Sequence, residues 1–333
     1  MKKIKKIAII CSFIIVSVSV ITFAINKCTY RKVVLSKSVD AVFSSQYTNQ
    51  LVVVVDGKMI IYDENANKSN LDTPFNVSVA CPLENSVWVV DVDGNLYEVT
   101  YDSYISDVIL TNVKYINMSP DHYTAITNAG ELYVWGDNLG YRLGVDCEEY
   151  ISIPTKKDNI ANAKETSISY GNTVLLLENG NVFAAGMVYQ KDYMERVDSL
   201  KKFTFINELE NANKLYNSGL CVLQKEGEFK SWSHLYKNFE HDELKAKQII
   251  SVDNFLSSKK VIWCSVGAGF TTYLTENGDI FYWGNDFLET TDCKCEPYAI
   301  PCQKIPYIDG VDMIYAGRNV IYAQKGNYVY IIK

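Results

Sequence analysis

The sequence predicts an all-β chain, a seven-bladed β-propeller that follows an N-terminal transmembrane helix. Three observations predict it: a hairpin pattern repeated seven times, an aromatic content of 13% with 24 Tyr, and an uncharged apolar run near the start. Each repeat has an apolar stretch, a glycine and a second apolar stretch, as in LVVVVDGKMIIY around Gly57. Alternation with period two and a glycine at the turn are what a β-hairpin needs. Aromatic and β-branched side chains fill the half-buried surfaces that such strands create.

Taken in order, the chain begins MKKIKK and continues with an uncharged run over residues 7–25. At about 1.5 Å per residue this run nearly matches a ~30 Å hydrocarbon core. The lysines before it hold the N-terminus in the cytoplasm, so the rest of the chain is expected on the outer side of a membrane. The run is longer than the roughly 7–15 residues of a cleaved signal's apolar region. Residues 1–28 are therefore assigned to a signal-anchor and residues 29–333 to the propeller, with a secreted, cleaved form as the alternative.

The turn glycines are Gly57, Gly94, Gly130, Gly180, Gly227, Gly278 and Gly326, spaced 36 to 51 residues apart. That period holds four short strands, the content of one blade. Two further sets of glycines keep phase with the turn. Gly171, Gly269 and Gly317 stand nine residues before it and are expected to start the innermost strand of a blade, where backbones crowd. Gly136, Gly186 and Gly284 stand six residues after it, where the hairpin's second strand must stop. A short apolar strand at residues 33–35 has no turn glycine of its own. It is expected to supply the outer strand of the last blade and so join the ends of the ring. The long connections at 137–162, 186–212, 231–262 and 284–310 are where a rigid ring places its contacts. Within them, KNFEHDELKAK at 237–247 has the composition of a short surface helix.

The best-formed repeat is DHYTAITNAGELYVWGDNLGYRLG, residues 121–144, with the pair Trp135-Gly136. A second, AGFTTYLTENGDIFYWGND at 268–286, carries Trp283-Gly284; the others are degenerate, and Trp232 is followed by Ser233. These residues resemble the repeats of the regulator of chromosome condensation family, His122 included. The resemblance implies a propeller over nearly all of residues 33–333. The founding family is known for guanine-nucleotide exchange on a nuclear GTPase, an activity not carried over to a chain expected outside the cytoplasm. Secreted propellers of similar repeat type that inhibit β-lactamases imply that such rings serve as protein-binding surfaces.

Charge narrows the choice of partner. Thirty-two Lys and Arg face 39 Asp and Glu for a net charge of -7, and five of the lysines lie in residues 1–27. A globular part this acidic is a poor polyanion binder, so no nucleic acid is expected. Cys293, Cys295 and Cys302 share one loop, where an exported domain permits a bridge from Cys302 to either neighbour. No His stands near them in sequence to complete a zinc site, so no metal is expected. Asp91-Val92-Asp93-Gly94-Asn95 reads as a hairpin turn instead of a calcium loop, because its glycine falls at the fourth position and not the sixth. No nucleophile elbow, zinc-helix or phosphate-loop motif appears, and no cofactor is implied.

The expected function is non-catalytic: an extracytoplasmic, membrane-anchored propeller that binds a protein partner through one face of the ring. A carbohydrate-binding propeller of the cell envelope is the alternative, and a glycosidase-like enzyme is third. The residues expected to touch the partner are aromatics of the long connections: Tyr141, Tyr150, Tyr189, Tyr193, Tyr236, Phe239 and Phe287.

Overall fold

The computed structural model describes residues 30–35, 39–147, 149–189, 191, 195–216, 221–225, 228–238, 243–248, 250–284, 303–306 and 308–333. The signal-anchor segment lies outside the described residues, as do Gly227 and the cysteines 293, 295 and 302. Among the described residues no helix is long and apolar enough to cross a membrane.

Strands follow one another as antiparallel meanders, each starting near the ring axis. The first strands are β2 (Val39–Phe43), β6 (Val77–Pro82), β9 (Val113–Met118), β13 (Ala163–Ile168), β17 (Ala212–Tyr216), β21 (Val261–Val266) and β25 (Met313–Ala316). From β2 to β25, each touches the first strand of the next repeat. The last and first repeats meet where Tyr322 Oη donates to Asn49 O (2.5 Å) and Arg318 N to Thr48 O (2.8 Å). At the rim, β1 (Tyr30–Val34) pairs antiparallel with β27 (Tyr328–Ile332), in register Tyr30↔Ile332 to Val34↔Tyr328. The last sheet thus takes its outer strand from the other end of the chain, which leaves β27 with no open edge. Leu35, Val53, Tyr322 and Ile331 bury the seam.

The described strands form six sheets, which corrects the expected count of seven. The repeats centred on Gly180 and Gly227 share one eight-stranded sheet. Their third strands, β15 (Val182–Tyr189) and β19 (Glu228–Asn238), meet in parallel at Tyr189↔Tyr236. The cause is overrun. In the Gly130 and Gly278 repeats the third strand ends at Gly136 and Gly284, whose φ values are +101° and +123°. In β15 the strand continues three residues past Gly186, and β19 runs on through Ser233, which stands where the Gly130, Gly180 and Gly278 repeats have glycine.

The second correction concerns the phased glycines. Gly171 and Gly269 lie between the first and second strands, not at the start of the innermost strand. They face the other set across the end of the hairpin: Asn172 pairs with Gly186 and Phe270 with Gly284. A Cβ on Gly186 would sit 2.1 Å from Gly171 O, and one on Gly284 2.4 Å from Gly269 O. The two sets are thus two sides of one contact.

The third correction is the helix expected at 237–247. Glu243–Gln248 is instead a strand, β20, paired with β19 (Leu235↔Ala246, Tyr236↔Lys245). Ala246 and Leu235 are buried together in the core. A free sheet edge overrides helix propensity here. The helix of this region, α1, is Ile250–Lys259, a stretch that the sequence reads only as a connection. The Asp91 turn matches its reading: Asp91 Oδ1 accepts from Asp93 N (2.9 Å) and Asn95 N (2.8 Å), which closes a hairpin turn.

Candidate functional site

Because strands alternate in direction, the ring has two unlike faces. One carries the glycine turns between second and third strands; the other, the loop face, carries the first-to-second turns and the long third-to-fourth connections. The signature stretch WGDNLGYRLG lies on the loop face and is organised around Arg142, which is 1% exposed. Arg142 Nε donates to Asp137 O (2.9 Å), and Nη1 donates to Tyr170 O (2.8 Å) in the next repeat. Its Nη2 lies 3.0 Å from Asp121 Oδ2 and 3.2 Å from Asp137 Oδ2, ion-pair distances at angles that aim no N–H squarely at either oxygen. Asn138 holds the loop from within: its Nδ2 donates to Val145 O (2.9 Å) and to Cys147 O, and its Oδ1 accepts from Leu143 N (2.8 Å). Gly140 has φ +65° and lies against Met187 of the next repeat. The motif that carries the family resemblance is therefore a clasp between two neighbouring repeats.

Beside the clasp stand a serine, a histidine and an aspartate. His122 is buried, and its Nδ1 faces both Ser119 Oγ (2.9 Å) and Asp121 Oδ1 (3.1 Å), while Nε2 has no partner among the described residues. In a nucleophilic triad the acid and the nucleophile occupy opposite ring nitrogens, so that the imidazole can pass a proton between them. Here one nitrogen serves both groups, and the arrangement is a turn lock. The hydrogen bond from His122, with those from Ser119 and the charge of Arg142, holds the Asp121 carboxyl well below the usual carboxylate range. Burial pushes the His122 imidazole down, which keeps it neutral.

The turns of several repeats surround the mouth of the ring on this face, a cavity of about 450 Å³ lined by Gln46, Tyr47, Asp121, Ser169, Tyr170 and Arg318. Tyr170 is 74% exposed at its rim. Tyr104 and Tyr150, each 65% exposed, follow the third strands of their repeats on the same face. Of the aromatics singled out from sequence, Tyr150 is open to solvent. Tyr141 is half-buried with Lys201 Nζ 4.7 Å from its ring centroid. Tyr189 and Tyr236 are half-buried at the junction of the merged sheet, where Tyr189 Oη lies 3.3 Å from Met187 Sδ. Tyr193, Phe239 and Phe287 lie outside the described residues. Sequence reasoning that looks to the long connections misses Tyr170 and Tyr104, because both sit in short turns. The local signal was present in the order Tyr170-Gly171, an aromatic directly before a turn glycine. Among the described residues no group of three or more His, Cys, Asp and Glu side chains is placed to hold a metal.

Fold and site together define a repeat-built β-propeller with clasped repeats and an aromatic-rimmed mouth. Its repeats are of the RCC1 type, those of the regulator of chromosome condensation, and the chain is an RCC1-like β-propeller. No family model matches the chain. It is 27% identical over 215 residues to the human E3 ubiquitin-protein ligase HERC2, a stretch that makes up 60% of this chain and 4% of that protein. It is 25% identical over 188 residues to the mitochondrial RCC1 domain-containing protein RUG3 of Arabidopsis thaliana, covering 51% of this chain and 41% of that one. The chain thus spans well under two thirds of these relatives. Among solved structures, human WBSCR16 superposes with a TM-score of 0.62 at 13% identity over 88% of this chain and 86% of its own. Yeast RCC1 (Prp20), seen bound to Kap60, gives 0.63 at 10% identity over 86% of this chain and 78% of its own. The yeast protein is also described with binding properties to Gsp1p and histones. At these identities the solved structures speak for the fold.

Proposed function

We propose that this chain is a non-catalytic propeller that holds a protein partner on its loop face, exported and kept at a membrane by residues 1–28. The observation that carries the reading is the exposure of Tyr170 at the mouth, on a turn fixed by the Arg142 clasp. Tyrosines give large contact area for little conformational entropy, and a turn ordered before contact lowers the cost of binding. The yeast RCC1 protein supports the reading as an analogy of fold, since it binds other proteins. The uncharged run at 7–25 and its preceding lysines support the anchor.

The test is site-specific photocrosslinking in the native host with a photoreactive residue at position 170, on the loop face, or at position 92, exposed on the hairpin face. The reading expects a discrete crosslinked protein from position 170 and none from 92. It also expects Tyr170→Ala to weaken capture about tenfold, the effect of losing one interface anchor, with the melting temperature unchanged. Crosslinks from position 92 alone, or capture indifferent to Tyr170→Ala, overturn it.

A further inference from the structure

The inner wall of the ring carries a feature that the protein-binding reading leaves unused. In six repeats the pairing of first and second strands slips by one residue near the start of the first strand, leaving Asp40, Ser78, Lys114, Lys164, Asn213 and Ile262 unpaired immediately before Ala41, Val79, Tyr115, Glu165, Lys214 and Trp263. A bulge of this kind re-aims a side chain out of the regular pleat. In ring order the residues that follow the slip are alanine, valine, tyrosine, glutamate, lysine and tryptophan. The last four line an open cavity of about 310 Å³, together with Phe43 and Tyr315. That volume is at the lower end for small-molecule pockets.

The two charged groups in this wall do not satisfy each other. Lys214 Nζ sits 3.9 Å from the ring centroid of Trp263 and 5.5 Å from that of Tyr216. Among the described residues it makes no ion pair. Glu165 Oε2 accepts from Leu215 N (2.8 Å), and no described residue donates to Oε1. Burial pushes the Glu165 carboxyl up, eased in part by the Leu215 N–H and by Lys214 and Lys164; burial pushes the Lys214 ammonium down, eased by Glu165 and reinforced by the like charge of Lys164. Both groups are thus held in a partly dry cavity short of the partner that would make their charge cheap.

Four classes of ligand can be weighed. A simple carboxylate would satisfy Lys214 and set a second anion beside Glu165. A simple amine would do the reverse, and a neutral molecule would leave both groups unpaired. Only a molecule with both signs a few ångströms apart answers both. We propose that this cavity binds a free α-amino acid, its carboxylate on Lys214, its ammonium on Glu165 and its side chain among Tyr115, Phe43 and Trp263.

The test is isothermal titration of the full chain with the twenty amino acids, followed by the N-acetyl and methyl ester forms of the tightest one. The proposal expects a Kd of about 1 mM or tighter for at least one free amino acid. Each blocked form, having lost one charge, binds the unaltered chain at least about tenfold more weakly. Lys214→Met and Glu165→Gln, with circular dichroism unchanged, each lose a comparable factor. The proposal is overturned by no binding from the panel, by blocked forms that bind as well as the free amino acid, or by folded variants that bind as the unaltered chain does. The blocked ligands keep the test decisive even if a variant fails to fold.

Discussion

Replacing Arg142 by methionine keeps the buried stem and removes the guanidinium's contacts between the Gly130 and Gly180 repeats. Two backbone carbonyls, Asp137 O and Tyr170 O, lose their donors; at a loop-face position that water partly reaches, about 1 kcal/mol each is the low end of the usual cost. Asp121 and Asp137, whose side chains are 46% and 44% exposed, lose a shared cation. Screening by solvent limits that loss to about 0.5 kcal/mol apiece. The total is about 3 kcal/mol, the lower bound for stripping one partner from a buried ion pair. Urea unfolding at neutral pH, read by tryptophan fluorescence because Trp88 and Trp135 lie in the neighbouring core, measures it. Arg142→Lys is expected to recover less than half, since an ammonium cannot reach both carbonyls in the guanidinium's fork geometry. A loss below about 1 kcal/mol for the methionine variant would refute the clasp and return WGDNLGYRLG to the status of an ordinary surface loop.

The other predictions are shorter. Burial lowers the His122 imidazole, so the folded state binds its proton less readily than the unfolded chain; the stability this contributes is whole above the unfolded value of about 6.5 and drains as pH falls below it. The Asp121 carboxyl is lowered, so its contribution is intact above about pH 4 and is lost only below that. Unfolding measured at pH 7.5 and 5.5 is therefore expected to show a steeper fall in the unaltered chain than in His122→Gln, by up to about 1.4 kcal/mol; parallel profiles would rule out the neutral buried imidazole. Gly186→Ala is expected to cost about 3 kcal/mol or more, because its φ is +112° and its Cβ would collide with Gly171 O. Gly326→Ala, at φ +55° with nothing within 4 Å of its Cβ, is expected to cost about 1 kcal/mol. Equal melting temperatures for the two variants would show that the close approach at Gly186 is not what requires glycine there.

Much of the fold was legible because a hairpin writes its needs into adjacent residues. Gly94, Gly130 and Gly278 announce turns, and each has a positive φ in the structure. The candidate site was read less well. Tyr150 is legible because it lies in a long connection, whereas Tyr170 lies in a turn of three residues whose one local signal is an aromatic directly before Gly171. Arg142 stood in plain view inside the family signature, yet nothing local tells that its guanidinium reaches the carbonyl of residue 170, one repeat away. The clash of Gly171 with any side chain at residue 186 was visible only as a phase relation, and its meaning was assigned to the wrong strand.

The sequence by itself determined the repeat, the hairpins and the RCC1-like character, since those depend on spacing and on residues that meet their chain neighbours. Only the tertiary structure decided that the described strands form six sheets, that residues 243–248 extend an edge and not a helix, and that Tyr115, Glu165, Lys214 and Trp263 converge on one cavity. Each of these outcomes depends on which unpaired edge or buried charge arrives beside which other one. That is set when the ring closes, by contacts between residues some fifty positions apart whose local patterns carry no mark of one another.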